Sequence, residues 1–126
     1  KDPLAHLYYG DLHRLTSQRA RGADDKARSA KLALESYEKS ASLDPALPDP
    51  FRQLGLLYYQ QKDTTKARAA FARYLALAPD APDAGRIREY LAIYNETPKP
   101  FIWTKSADEI LQSVARFCKR ISDSGH

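Results

Sequence analysis

Residues 46–79 read ALPDPFRQLGLLYYQQKDTTKARAAFARYLALAP, and this segment decides the fold. Its last three residues, Leu-Ala-Pro, match the Leu-Asp-Pro that ends at Pro45, so Pro45 and Pro79 mark one period of a repeat. Two runs of helix-forming residues flank the polar turn 62–65, and apolar residues recur in each run every three or four positions. A period in the low thirties, made of paired helices, predicts an all-α fold, a short α-α superhelical solenoid of helical hairpins.

The residue types in this unit resemble the tetratricopeptide repeat. The large residue, leucine, glycine and aromatic residue of that family's first helix correspond to Phe51, Leu54, Gly55 and Tyr58. Its second helix corresponds to Ala67, Phe71 and Tyr74 before Pro79, although a smaller residue than Tyr74 is usual there. Gly55 and Ala67 also have a physical reason, because small residues let two helices cross closely. The resemblance implies a protein-interaction module without catalysis.

A longer version of the unit precedes it. Gly10 and Ala33 take the places of Gly55 and Ala67, but the segment between Gly10 and Ala33 is twice as long as that between Gly55 and Ala67. The added stretch, at 17–31, is rich in Ala, Arg and Lys. We therefore expect both helices to be lengthened into a hairpin that turns near Gly22.

The elongated hairpin is basic. Its cationic residues include Arg19, Arg21, Lys26 and Arg28. They could contact an acidic partner or nucleic acid. The alternative is an ordinary solvated helix surface, and the stretch has no aromatic residue that could stack on a base.

The unit restarts downstream and stops early. Ile87, Tyr90, Leu91 and Tyr94 form the apolar stripe of a further first helix. Glu89 stands where glycine is expected, which argues against close packing of a second helix at that place. We therefore predict about two and a half repeats, fewer than the three that usually make an array stable. The predicted division is a repeat domain at 1–94 and a separate tail at 95–126.

The tail begins with the helix-breaking sequence NETPKP at 95–100 and continues into an amphipathic helix. The apolar face of that helix carries Ile110, Leu111, Val114, Phe117, Cys118 and Ile121. We expect it to pack on the repeats as a capping helix, with Trp103 as a plug, because such a face must be buried. The alternative is a partner-binding helix or a homodimer contact.

The tail also resembles the C-terminal end of mariner-like insertion-sequence transposases from bacteria. The matching positions are Pro98, Lys99, Pro100, Phe101, Trp103, Thr104, Arg116, Phe117 and Cys118. The match is confined to the tail and lacks the catalytic domain, so no transposase activity is implied. The hypothesis is a gene fusion whose new end was recruited for packing.

In the tetratricopeptide repeat family the first helices line an inner groove. The resemblance places the following residues there: Arg14, Asp49, Arg52, Tyr59, Arg86, Tyr90 and Tyr94. Such a groove could hold a peptide or protein ligand, with arginine pairing a carboxylate and tyrosine supplying contact area. The alternative is that Arg52 and Arg86 pair with Asp49 and Asp83, three positions earlier on each helix.

Other classes of function find little support in the sequence. There is no catalytic, metal-ligating or phosphate-binding motif, so we expect no enzyme activity and no cofactor. A net charge of +4 does not by itself indicate nucleic acid as a partner. No transmembrane segment or signal peptide is visible, which favours the cytoplasm, or the periplasm if a signal was removed. The remaining alternative is the accessory repeat region of a larger bacterial enzyme, such as a zinc metallopeptidase.

Overall fold

The computed structural model describes the backbone of residues 2–96 and 105–124 and the side chains of residues 2–93 and 107–116. This part of the chain contains six helices and no strand. They are α1 (Pro3–Arg19), α2 (Ala23–Leu43), α3 (Asp49–Gln60), α4 (Thr64–Leu77), α5 (Ala84–Glu96) and α6 (Lys105–Ser124). The helices pack as successive hairpins, which confirms the predicted fold class.

The first hairpin is elongated as expected. Helices α1 and α2 have 17 and 21 residues, against 12 and 14 for α3 and α4. Gly22 occupies the N-cap position of α2, so the chain turns where the sequence predicted. Asp24 and Asp25 lie in the first turn of α2, where their charge suits the positive end of the helix dipole.

Two glycines allow the helices of each hairpin to approach closely. A Cβ atom on Gly55 would lie 2.6 Å from the ring of Phe71, and one on Gly10 would lie 2.6 Å from the ring of Tyr37. Both rings are fully buried, so they could not move aside without repacking the core. The two glycine positions inferred from the repeat pattern are therefore the crossing points of α1 with α2 and of α3 with α4.

Helix α5 behaves differently from α1 and α3. Ile87 and Tyr90 are fully buried, whereas Arg88, Glu89 and Ala92 are exposed. These exposed positions are the ones against which the second helix of a repeat would pack. In the part of the chain that the structure describes, no second helix packs on the face that carries Glu89. The sequence suggested this, because Glu89 replaces the expected glycine.

Helix α6 packs on the repeats from another side. Among its described side chains, those of residues 107–116, the buried ones are Ala107, Ile110, Leu111 and Val114. They belong to the same core cluster as Leu56 and Tyr59 of α3, Phe71 of α4, and Ile87 and Tyr90 of α5. A second cluster lies between the first two hairpins, around Leu7, Tyr37 and Leu57. The helix therefore completes the core, while Trp103 lies outside the described residues. The contact of this helix with a second copy stays a prediction.

Candidate binding face

The term inner face is used here for the side of α1, α3 and α5 that carries Arg14, Leu56, Tyr59, Gln60 and Tyr90. These residues are at the first-helix positions that line the groove in the family that the repeat unit resembles. Helix α6 lies over the part of this face that belongs to α3 and α5. The location differs from a simple end cap, because α6 covers first-helix residues and leaves Arg88 and Glu89 exposed.

Two of the predicted groove tyrosines lie in the core beneath α6. Tyr59 is 8% exposed and Tyr90 is fully buried. Their rings meet edge to face, with centroids 5.7 Å apart, and Tyr90 makes a similar contact with Phe71 at 5.4 Å. Their role in the structure is packing, and the expectation of an open aromatic wall is corrected by this burial. The side chain of Tyr94 lies outside the described residues.

A small cavity marks the seam between α3 and α6. Its volume is about 80 Å³. Leu56, Tyr59 and Gln60 line it from α3, and Asp108, Leu111, Gln112 and Ala115 line it from α6. At its rim Gln112 donates a hydrogen bond of 2.8 Å to Asp108, one helical turn earlier. The two helices therefore face each other across the inner face, with apolar residues at the centre and polar residues at the edge.

The side chain of Arg52 is not available to a ligand in the groove, because it is largely buried and bonded within the protein. Its side chain is 11% exposed, and its guanidinium donates to Asp49 at 3.4 Å and to Asp83 at 3.4 Å. It also donates to the Tyr74 hydroxyl at 3.2 Å and stacks over that ring at 5.4 Å from the centroid. Tyr74 in turn donates to Asp83 at 2.7 Å. This Arg52 cluster ties α3, α4 and the start of α5 together, and the pairing with Asp49 that the sequence offered as an alternative is present.

The first hairpin repeats this arrangement. Arg14 donates through Nε to the hydroxyl of Tyr37 at 3.2 Å and lies 3.6 Å from Asp11. Tyr37 donates to Asp11 in a short hydrogen bond. Since the Arg14 side chain is only 13% exposed, most of its surface is used within the hairpin. Its exposed edge faces the cleft described below.

Arg86 differs from Arg52 in both its partner and its burial. Its guanidinium donates to Glu89 at 2.6 Å, and its side chain is 43% exposed. The expected partner Asp83 is instead bonded to Arg52 and Tyr74. The prediction that Arg86 pairs with Asp83 is therefore wrong, because the buried carboxylate is already held across the joint between repeats.

An open cleft remains where α1, α3 and the end of the described part of α6 meet. Its volume is about 170 Å³. The residues that line this α1–α3–α6 cleft are Arg14, Gln18, Gln53, Leu56, Leu57, Gln60, Ala115 and Arg116. The set combines apolar side chains with three amides and two guanidinium groups, and it includes no carboxylate. Such a surface suits a ligand that offers carbonyl or carboxylate oxygens.

The sequence could have indicated part of this cleft. Gln18 follows Arg14 by one helical turn, so both lie on one side of a lengthened helix. Arg116 gave no such signal, because its place depends on where α6 docks. Gln53 gave no signal either, because a single glutamine in a helix is usually an ordinary surface residue. In the structure it is 6% exposed.

The basic end of the first hairpin is solvated. Arg19, Arg21, Lys26 and Arg28 are all exposed. Arg28 pairs with Asp25 at 3.2 Å, and Ser17 donates to the carbonyl of Lys26 at 2.9 Å, which joins the two helices. A shallow hollow there has residues such as Thr16 and Ser29 in its lining, without an aromatic side chain. The contact of these cations with an acidic partner stays a prediction.

A wider hollow of about 470 Å³ lies on the other side, between α2 and α4. Several of its polar groups are already engaged within the protein. Tyr58 donates to Glu38 at 3.1 Å, Lys66 lies over the Tyr58 ring, and Arg73 donates to the carbonyl of Pro45 at 3.2 Å. We therefore regard the inner face, and not this hollow, as the better candidate for binding.

The described residues contain no group of three or more His, Cys, Asp or Glu side chains that could hold a metal ion. His6 makes an edge-to-face contact with Tyr9, with ring centroids 6.0 Å apart. No helix among the described residues has the length and apolar character needed to cross a membrane.

The hydroxyl groups of Tyr37, Tyr58 and Tyr74 have a raised pKa. Burial is the largest cause for Tyr37, Tyr58 and Tyr74 alike, since it disfavours the phenolate. A neighbouring carboxylate adds to the effect in each case, and for Tyr58, beside Glu38, the pKa rises to about 12. The folded protein therefore holds these phenols in the neutral form more strongly than the unfolded chain does.

Stability should accordingly fall at alkaline pH. Because the pKa of these tyrosines is higher in the folded state, their contribution is fully present below about pH 10 and decreases above it. The contribution of Tyr58 is lost as the pH rises through about 12. Urea unfolding followed by circular dichroism should show a constant midpoint at neutral pH and a decreasing one above about pH 10. The variant Tyr58→Phe should show a weaker decrease. A midpoint that stays constant through this range would contradict the expected linkage.

Comparison with known proteins adds one finding. The family model described as tetratricopeptide repeat matches residues 26–92, which is more than half of the chain and spans most of α2 together with α3, α4 and most of α5. Neither the search of curated proteins nor that of solved structures gave a significant match. The tail lies outside the matched residues, so its resemblance to transposases stays a hypothesis.

Proposed function

We propose that this chain, which belongs to the tetratricopeptide repeat family, is a non-catalytic protein-interaction module that binds a segment of another protein on its inner face. Tetratricopeptide repeats generally mediate contacts between proteins, and the first helices provide the natural surface for them. The predicted ligand residues Asp49 and Arg52 would then act indirectly, because they hold α3 against α4 and α5.

The observation that carries this proposal is the composition of the α1–α3–α6 cleft. Leu56 and Leu57 provide an apolar surface, and Gln18 and Gln60 are exposed at its edge. Amide groups can both donate to and accept from a peptide backbone, and the guanidinium of Arg14 adds a positive charge. A ligand with an apolar side chain and adjacent oxygen acceptors would fit this combination.

A selection from a random-peptide library tests the proposal. Peptides would be selected on the full chain and then measured on a variant with Gln18→Glu and Gln60→Glu, which adds two negative charges at the cleft edge. The control is Gln61→Glu, because Gln61 is exposed next to Gln60 but does not line the cleft. We expect the selected peptides to bind the double variant about tenfold more weakly and the control unchanged. Equal binding to all three proteins would contradict the proposed site.

A further inference from the structure

Helix α6 occupies the inner face in the way that a bound helical peptide would. Its buried residues Ala107, Ile110, Leu111 and Val114 follow the spacing i, i+3, i+4 and i+7. This is the pattern by which an amphipathic helix lies in an apolar groove. Each of the four side chains is 8% exposed or less, and together they cover Leu56, Tyr59 and Tyr90. The face is therefore shaped to receive an apolar helix stripe.

The far end of α6 matches its surroundings less well. Arg116 follows Val114 by two positions and lines the α1–α3–α6 cleft together with Arg14. Like charges that share a cleft repel each other, and the other polar side chains there are the amides of Gln18, Gln53 and Gln60. The Asp11 carboxylate that faces Arg14 lies 3.6 Å from it and is not part of the cleft lining. A helix with an acidic residue in place of Arg116 would suit this end better.

We infer that the inner face is a docking site for an amphipathic helix of a partner protein, which takes the place of α6. This inference rests on the proposed function and specifies the partner. The partner helix carries apolar residues with the spacing of Ala107, Ile110, Leu111 and Val114, and an acidic residue at the position of Arg116. Helix α6 is then an internal competitor, because it belongs to the same chain and a separate helix must compete with an intramolecular contact.

Fluorescence anisotropy with labelled synthetic peptides tests the inference on the full chain. Three peptides would be compared: residues 105–124, the same peptide with Arg116→Glu, and the same peptide with Val114→Asp. We expect the Arg116→Glu peptide to bind about threefold more tightly than the native peptide, as one additional partly exposed ion pair would provide. The Val114→Asp peptide should not bind, because its carboxylate would be buried against the apolar residues of the inner face.

The same peptides distinguish competition from simple affinity. A full chain that carries Val114→Asp should bind the native peptide at least about tenfold more tightly than the native chain does, because its own α6 no longer competes. A full chain that carries Arg116→Glu keeps every apolar contact of α6. It should bind the native peptide about threefold more weakly than the native chain does, since its internal helix is the better occupant.

The outcomes separate this inference from the proposed function. If library peptides bind the native chain but no chain binds the 105–124 peptides, the proposed function stands and the helix-docking inference is overturned. Equal affinity of the native peptide for the native and Arg116→Glu chains would also overturn it. If Val114→Asp unfolds the chain, the Arg116→Glu comparison still decides the question, because that substitution is at an exposed position.

Discussion

Replacement of Asp83 by alanine should lower the free energy of unfolding by about 3 kcal/mol or more, the loss found when one partner of a buried ion pair is removed. Asp83 is 3% exposed and accepts hydrogen bonds from Tyr74 and from Arg52. Without Asp83, the carboxylate that remains for Arg52 within the Arg52 cluster is that of Asp49. The Asp49 side chain is half exposed, whereas the Arg52 guanidinium is largely buried. The desolvation cost of Arg52 would then be poorly compensated.

Urea unfolding of Asp83→Ala and of a matched control would check this expectation. Asp80→Ala removes a carboxylate from the same loop at an exposed position and should change stability by no more than about 0.5 kcal/mol. Tyr74→Phe deletes only the hydroxyl that donates to Asp83 and should cost about 1–3 kcal/mol. If Asp83→Ala were as stable as Asp80→Ala, the Arg52 cluster would not be the joint between the repeats.

Replacement of Val114 by aspartate should release α6 from the repeats. Val114 is 1% exposed within the cluster that contains Leu111 and Tyr90. Losing a buried valine costs about 1.5–3 kcal/mol, and the new carboxylate cannot be hydrated while the helix stays docked. We therefore expect a loss of about 3 kcal/mol in the free energy of unfolding, together with faster tryptic cleavage after Arg116.

The control for this prediction is Gln112→Asp, because Gln112 is an exposed residue at the edge of the contact between α6 and α3. The substitution introduces the same charge near Asp108 and should cost about 0.5 kcal/mol or less, as for like charges one helical turn apart. Equal stability and equal cleavage rates for the two variants would show that Val114 is not buried against the repeats.

The parts of the fold that the sequence predicted depend on local patterns. The turn at Gly22 followed from a long run of helix formers with one breaker. The crossings at Gly10 and Gly55 followed from the repeat spacing, and each glycine lies against the aromatic ring expected in its partner helix. Among the described helices, none packs closely on the face of α5 that carries Glu89, as that residue indicated. Each of these features involves residues within a single hairpin or a single helix.

The candidate site was harder to predict because it depends on contacts between distant segments. The apolar stripe of α6 required a surface to cover, but nothing in its spacing specified the inner face. Tyr59 and Tyr90 were therefore expected at an open groove and are buried instead. Arg86 had two possible carboxylate partners, Asp83 and Glu89, each three positions away. Arg52, which is distant in sequence, bonds to Asp83, and Arg86 pairs with Glu89.

Cross-linking tests most directly whether α6 lies on the inner face. With Cys118 replaced by serine, one chain would carry cysteines in place of Gln60 and Gln112, which line the same cavity of about 80 Å³. A control chain would carry cysteines in place of Glu89 and Gln112, because Glu89 is exposed on the side of α5 that α6 leaves open. After reaction of dilute protein with a short bismaleimide, mass spectrometry should show an intramolecular link between positions 60 and 112 and none between 89 and 112. A link from position 89 without one from position 60 would place α6 on the opposite side of α5 and contradict its docking on the inner face.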